Sequence, residues 1–190
     1  MAKPVREALI DAAYDAAVTT GWAQARMADI AAAAGVSRQT LYDQFGSRDG
    51  LAQAVAMREL ERFLDGTEAA LAPHRALPEA VEAATAYVLR AAQDNPLVHS
   101  LLTENGEAGL LPFVTTRAEP LLVVARDRLQ RYFAAYYPEL DLPDAQLVAE
   151  VCTRLTMSYV VLPAEPVDVT AHRVATLVAR VLDHDHRSVR

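Results

Sequence analysis

Ser37-Arg38-Gln39-Thr40-Leu41-Tyr42 places three hydroxyls, a carboxamide and a guanidinium within six consecutive residues. These groups donate and accept hydrogen bonds, and no nucleophile–base pair stands among them. Hydroxyls suit phosphate oxygens, while arginine and glutamine side chains can reach the edges of bases in a major groove. Arg26 and Arg48 flank the stretch and add two cations able to meet phosphate. The chemistry on offer is recognition, not bond making.

Reactive chemistry is sparse elsewhere. The seven glycines are not clustered, so no phosphate-cradling loop is present. No serine or cysteine sits in a nucleophile elbow. His184-Asp185-His186 suggests a metal, but a spacing of i, i+2 does not bring two imidazoles onto one helical face. Cys152 is the only cysteine, which excludes an internal disulfide and a cysteine-based zinc site. No catalytic residue, metal or cofactor is therefore expected.

Apolar residues make up 52% of the 190, enough to bury a sizeable core. No apolar run reaches the roughly 18 residues a membrane helix needs. Met1-Ala2-Lys3-Pro4 is not followed by the apolar stretch of a secretory signal. A reducing cytoplasm is the expected compartment. The formal charge of −7 argues against sequence-blind nucleic-acid binding. It is unevenly spread: residues 1–50 carry five Lys/Arg against six Asp/Glu, whereas 51–190 carry 13 against 19.

The elements that must hold the recognition residues are helices, since no period-two strand pattern appears. Proline and serine starts and glycine stops predict helices at about 4–20, 27–33, 38–45, 47–72, 78–94, 96–104, 117–137, 143–161 and 167–184. A further apolar turn is expected around Leu110–Phe113. The fold class is all-α, with about nine helices. In the first helix Val5, Leu9, Ala13 and Ala17 recur at i, i+4 and mark a buried stripe, which Trp22 should plug.

Two short helices joined by Ala34-Gly35-Val36-Ser37 have the form of a helix-turn-helix. Glycine supplies the left-handed backbone, Val36 enters the core and Ser37 caps the next helix. At 100° per residue Leu41 and Phe45 share one face of 38–45. Gln39 and Asp43 lie opposite, flanked by Thr40 and Tyr42. Such a helix suits a major groove.

The stretch ADIAAAAGVSRQTLYDQFGSRDGLAQAV resembles the DNA-binding signature of the TetR family of bacterial one-component regulators. The matching elements are Ile30-Ala31, Ala34-Gly35-Val36-Ser37, Leu41-Tyr42-Asp43-Gln44-Phe45 and Arg48-Asp49. The resemblance implies a helix-turn-helix domain over 1–50, continuing into a linking helix at 47–72. A ligand-binding and dimerisation domain over 51–190 would follow. It assigns Arg26, Ser37, Arg38, Gln39, Thr40, Tyr42 and Arg48 to a double-stranded DNA operator. Arg26 stands where the family often has a threonine that caps the second helix, exchanging a cap for a charge. Asp43 is unhelpful beside phosphates unless it accepts from a cytosine amino group.

In that family the last two helices form a homodimer and the others hold an inducer. Here 143–161 offers Leu147, Val151, Leu155 and Tyr159, and 167–184 offers Val174, Leu177, Val178 and Val181. Ligand candidates on the central helices are Tyr87, His99, Leu102, Phe113, Arg117, Leu121 and Tyr132. Their mostly aliphatic surroundings favour a hydrophobic effector. QTLYDQFGSRDGLAQA, NPLVHSLLT and LLPFVTTRAEPLL also resemble a subgroup encoded beside alkane-hydroxylase and rubredoxin genes in actinobacteria. That resemblance implies a long-chain fatty acid or acyl derivative as effector, and a repressor it would release. The competing reading is an all-α hydrophobic-ligand-binding protein without DNA activity.

Overall fold

The computed structural model describes residues 3–103 and 109–188, with 183–188 by backbone alone. Among these residues the regular structure is helical throughout: α1 (Val5–Thr20), α2 (Met27–Ala33), α3 (Arg38–Phe45), α4 (Arg48–Leu71), α5 (Leu77–Asp94), α6 (Pro96–Thr103), α7 (Leu111–Val114), α8 (Glu119–Tyr136), α9 (Leu142–Val161) and α10 (Val167–Ser188). A short 3-10 turn, Trp22–Gln24, follows α1. The expected all-α class holds, and the apolar turn near Leu110 is the single-turn α7. No helix among the described residues is long and apolar enough to cross a membrane.

The chain forms two compact units, Met1–Leu60 with Asn95–Ala118, and Glu61–Asp94 with Glu119–Arg190. In the first unit α1 turns Leu9, Ala13 and Ala17 inward, where alanines allow close helix approach. They meet Trp22, Ile30, Leu41, Leu51 and Val55, all at most 1% exposed, and Leu101 and Phe113 from α6 and α7. Val5, expected on that stripe, is 43% exposed because it occupies the first position of α1 and lies outside the buried cluster. Asn95 caps α6, its Oδ1 accepting from the N–H groups of Leu97 (2.9 Å) and Val98 (3.1 Å). Its Nδ2 donates to the buried Glu59 carboxylate at 3.0 Å, tying the cap to α4. Ser100 Oγ donates to the Ala17 carbonyl at 2.8 Å, which joins α6 to α1.

The second unit packs Val81 and Ala84 of α5, Leu129 and Phe133 of α8, Val148 and Ala149 of α9, and Val174 and Val178 of α10 around one core. Arg128 on α8 reaches Glu68 and Asp65 on α4, each at 2.6 Å, and these carboxylates hold the guanidinium firmly charged. Tyr137 Oη donates to the His74 carbonyl at 2.9 Å. Burial pushes the Cys152 thiol up to about 12, which keeps it protonated and unreactive at neutral pH.

Candidate nucleic-acid interface

Backbone geometry sets the angle between α2 and α3. Gly35 adopts φ 71° after α2, a left-handed conformation that a side chain would strain. Its N–H bonds the Ala32 carbonyl and the Val36 N–H bonds that of Ala31, each at 3.0 Å, which closes the helix end. Ser37 is extended (φ −75°, ψ 155°), and its Oγ accepts from the Thr40 N–H at 3.0 Å. That is an N-cap. Leu41 is fully buried, and Val36 and Phe45 pack against the same core. Gly46, with φ 69°, closes α3 by donating to the Tyr42 carbonyl at 2.7 Å.

The outer face of α3 is arranged in pairs. The Arg38 guanidinium lies 5.4 Å from the Tyr42 ring centre, with Nη2 3.4 Å from the hydroxyl. Gln39 Nε2 donates to Asp43 Oδ1 at 2.8 Å. Ser37 Oγ and Thr40 Oγ1 are 2.9 Å apart. Thr40 and Tyr42 are half-buried, whereas Ser37, Arg38, Gln39 and Asp43 are exposed. Arg26 is exposed at the extended entry to α2, and its side chain makes no cap there.

Arg48, expected at phosphate, makes contacts within the head. Its Nη2 donates to the carbonyls of Trp22 and Ala23, and its guanidinium lies 5.3 Å from the Trp22 ring centre. Within the 3-10 turn after α1 the Trp22 carbonyl already accepts from the Ala25 N–H at 3.1 Å, and Arg48 adds a side-chain donor from α4 to it. This arginine is a brace for the head.

A cation that no sequence motif marks takes a place beside α3. Arg6, on the exposed first turn of α1, has its guanidinium 5.0 Å from the Phe45 ring centre. Residues 39 positions apart meet here, and no local pattern signals it. Arg117, expected near a ligand, instead reaches Asp49 at 2.8 Å, with its guanidinium 5.7 Å from the Phe113 ring centre. It offsets an acidic charge in the first turn of α4.

The seven ligand candidates do not fall within one unit. His99, Leu102, Phe113 and Arg117 belong to the first, where His99, Leu102 and Arg117 are exposed and Phe113 is core. Tyr87, Leu121 and Tyr132 belong to the second. There Leu121 is 3% exposed, Tyr132 stacks on Tyr136 at 4.5 Å, and Tyr87 lies across Gly66 of α4. Among the described residues no group of three or more His, Cys, Asp or Glu could hold a metal ion. The side chains of His184 and His186 lie outside them.

A glycine-turned helix pair, its second helix serine-capped and carrying a polar outer face on a buried Leu41, is the head of a helix-turn-helix transcriptional regulator. The chain belongs to the TetR family. Residues 9–55 match the family described as bacterial regulatory proteins, tetR family, and residues 77–180 match the bacterial tetracyclin repressor C-terminal domain. It is 34% identical over 180 residues to the HTH-type transcriptional regulator AlkX of Mycobacterium tuberculosis, covering 94% of this chain and 83% of that one. The crystal structure of the TetR family repressor AlkX of a Dietzia species, implicated in biodegradation of n-alkanes, is 30% identical with a TM-score of 0.79. That match covers 94% of this chain and 95% of the other. The fatty acid degradation regulator FadR of Bacillus halodurans, at 20% identity and a TM-score of 0.54 over 94% and 96% of the two chains, shares the fold. These relatives are regulators.

Proposed function

We propose that the chain is a repressor that holds a palindromic operator as a homodimer and releases it on binding a hydrophobic, fatty-acyl-like effector. The observation that carries the DNA reading is α3, anchored by Leu41, with Arg38 and Gln39 exposed and the hydroxyls of the half-buried Thr40 and Tyr42 beside them. Arg38 and Gln39 have the reach and donors for base edges. Ser37, Thr40, Tyr42 and the exposed Arg26 suit phosphates, and Arg48 serves by bracing the head.

One such head buries little DNA, and two of them spaced one helical turn apart would read an inverted repeat. Leu147 on α9 and Leu177 on α10 are 41% and 42% exposed, while Val151 and Val181 are half-buried. These aliphatic side chains fit a second copy of the same helix pair. Val174 and Val178 are spent on the core of the unit itself.

For the effector, the AlkX name shared by two relatives and the n-alkane role of one of them support a long-chain alkyl compound. Tyr87, Leu121 and Tyr132 are the residues of the second unit assigned to it. Helix α4, at 24 residues about 36 Å long, contributes to both units and is the route by which occupancy would tilt the head. A preference of about 1–3 kcal/mol for the tilted state changes affinity about 5- to 150-fold.

The test is a gel shift on the DNA upstream of the chain's own gene, followed by titration with fatty acids of increasing length. Retardation that fades as the chain lengthens is expected. Absence of any shift would reject the DNA reading, whereas a shift indifferent to every fatty acid would reject the effector alone.

A further inference from the structure

Resting on that DNA-binding reading, we propose that Asp43 is a positioning residue that fixes the Gln39 carboxamide as a reader of adenine. The two side chains stand one turn apart on α3, both exposed, with Gln39 Nε2 2.8 Å from Asp43 Oδ1. An ionised carboxylate only accepts hydrogen bonds. The amide nitrogen must therefore face Asp43, because the flipped carboxamide would set Oε1 against Oδ1. Carboxamides are otherwise free to present either end, so this contact removes a real ambiguity.

Held in that sense, Gln39 turns outward its Oε1 and the second N–H of Nε2. An acceptor beside a donor complements one major-groove edge: adenine, whose N6 amino group donates and whose N7 accepts. Guanine offers two acceptors there, cytosine one donor, and thymine an acceptor beside a methyl. Each leaves one of the two Gln39 groups unmet or opposed.

The carboxylate itself is a poor neighbour for DNA, since phosphates repel it at every sequence. Asp43 therefore lowers general affinity, and its contribution is discrimination. In open water a hydrogen-bonded pair at i, i+4 orients Gln39 only weakly. Inside a groove that excludes water the same contact is stronger, and a mispaired carboxamide is costlier. This turns Asp43 from a misplaced charge into half of a two-residue reader.

The experiment selects an operator with wild-type protein from duplexes randomised over a core of about 20 base pairs. Every position is then replaced by the other three base pairs, and affinities are measured for wild type, Gln39→Ala, Asp43→Ala, Asp43→Asn and Gln39→Ala/Asp43→Asn. One adenine per half-site should be preferred by wild type and lose that preference in Gln39→Ala. Asp43→Asn can face Gln39 with either end, so the same preference should fall about fivefold or more, and the double variant should lose no more of it than Gln39→Ala alone. Asp43→Ala should bind all duplexes more tightly while discriminating less at that position. The proposal is overturned if Asp43 variants scale every affinity equally with base preferences intact, or if the Gln39 variant keeps them. Wild type that selects no operator at all would overturn the DNA-binding reading as well.

Discussion

Arg48, the first residue of α4, lies over the indole of Trp22 and donates to its carbonyl oxygen. The contact closes a loop of 26 positions in the chain and ties the turn after α1 to the helix after α3. Removing it should cost stability before it costs recognition. Arg48→Ala loses charge-assisted bonds to two carbonyls and a stacked cation, together about 2–3 kcal/mol. Chemical denaturation should show that loss, with operator affinity changing less than in Arg38→Ala. Unchanged stability would return Arg48 to the phosphate role.

Two glycines in α4 differ in what a methyl group would meet. A Cβ on Gly50 would overlap the Phe45 carbonyl oxygen, which is backbone and cannot swing aside. On Gly66 it would overlap the Tyr87 hydroxyl, the far end of a side chain. Alanine ordinarily stabilises a helix by about 1 kcal/mol over glycine, so a clash must reverse the sign. Gly50→Ala should lower the melting temperature by several degrees with no side-chain rescue. Gly66→Ala should be substantially rescued by Tyr87→Ala. Equal behaviour of the two would show that the close approaches are not as described.

What the sequence discloses here is local. Gly35, Ser37, Gly46 and Ser47 each act on neighbours within four residues, so the helix-turn-helix and its outward face are legible in the order of residues alone. Leu41 and Phe45 follow from helical period. Arg6 against Phe45, Arg117 against Asp49 and Arg48 against Trp22 join residues 26 to 68 positions apart, and chain folding decides them. The same holds for the ligand candidates. Aromatic or aliphatic type does not distinguish Phe113, spent on the first core, from Tyr132, stacked on a neighbour. Placement of those side chains depends on packing that no spacing rule encodes.

Asn95 combines a helix cap with a contact to the buried Glu59. Asn95→Ala should lose about 1–2 kcal/mol, the worth of a cap and its second bond. Asn95→Asp keeps the capping oxygen but sets a second carboxylate against Glu59. It should therefore destabilise at neutral pH despite its capping ability, as read by urea denaturation. An aspartate variant as stable as wild type would show that the Glu59 contact contributes nothing.

Salt dependence counts the cations brought against the DNA, whether at phosphates or in the groove, because each releases counterions. Arg6, Arg26 and Arg38 are exposed on the head, Arg48 is withdrawn, and Lys3 is paired with Asp11. With three per subunit in a dimer, log affinity should fall with log salt at a slope of about −5. Arg6→Ala should make it shallower by about two. A wild-type slope near about −10 would show that other basic residues take part.

The central claim is that the outer face of α3 reads DNA. Its most direct measurement is fluorescence-anisotropy titration of the selected operator with wild type, Arg38→Ala and Tyr42→Ala at one fixed salt concentration, with circular dichroism to verify folding. Each substitution removes polar reach while leaving the Leu41 anchor in place. The account predicts a loss of about 1–3 kcal/mol for each, roughly 5- to 150-fold in Kd, with helicity near wild type in both. The melting temperature should stay near wild type in Arg38→Ala and be lower in Tyr42→Ala, whose ring packs against the first core. Operator affinity unchanged in both folded variants would contradict it.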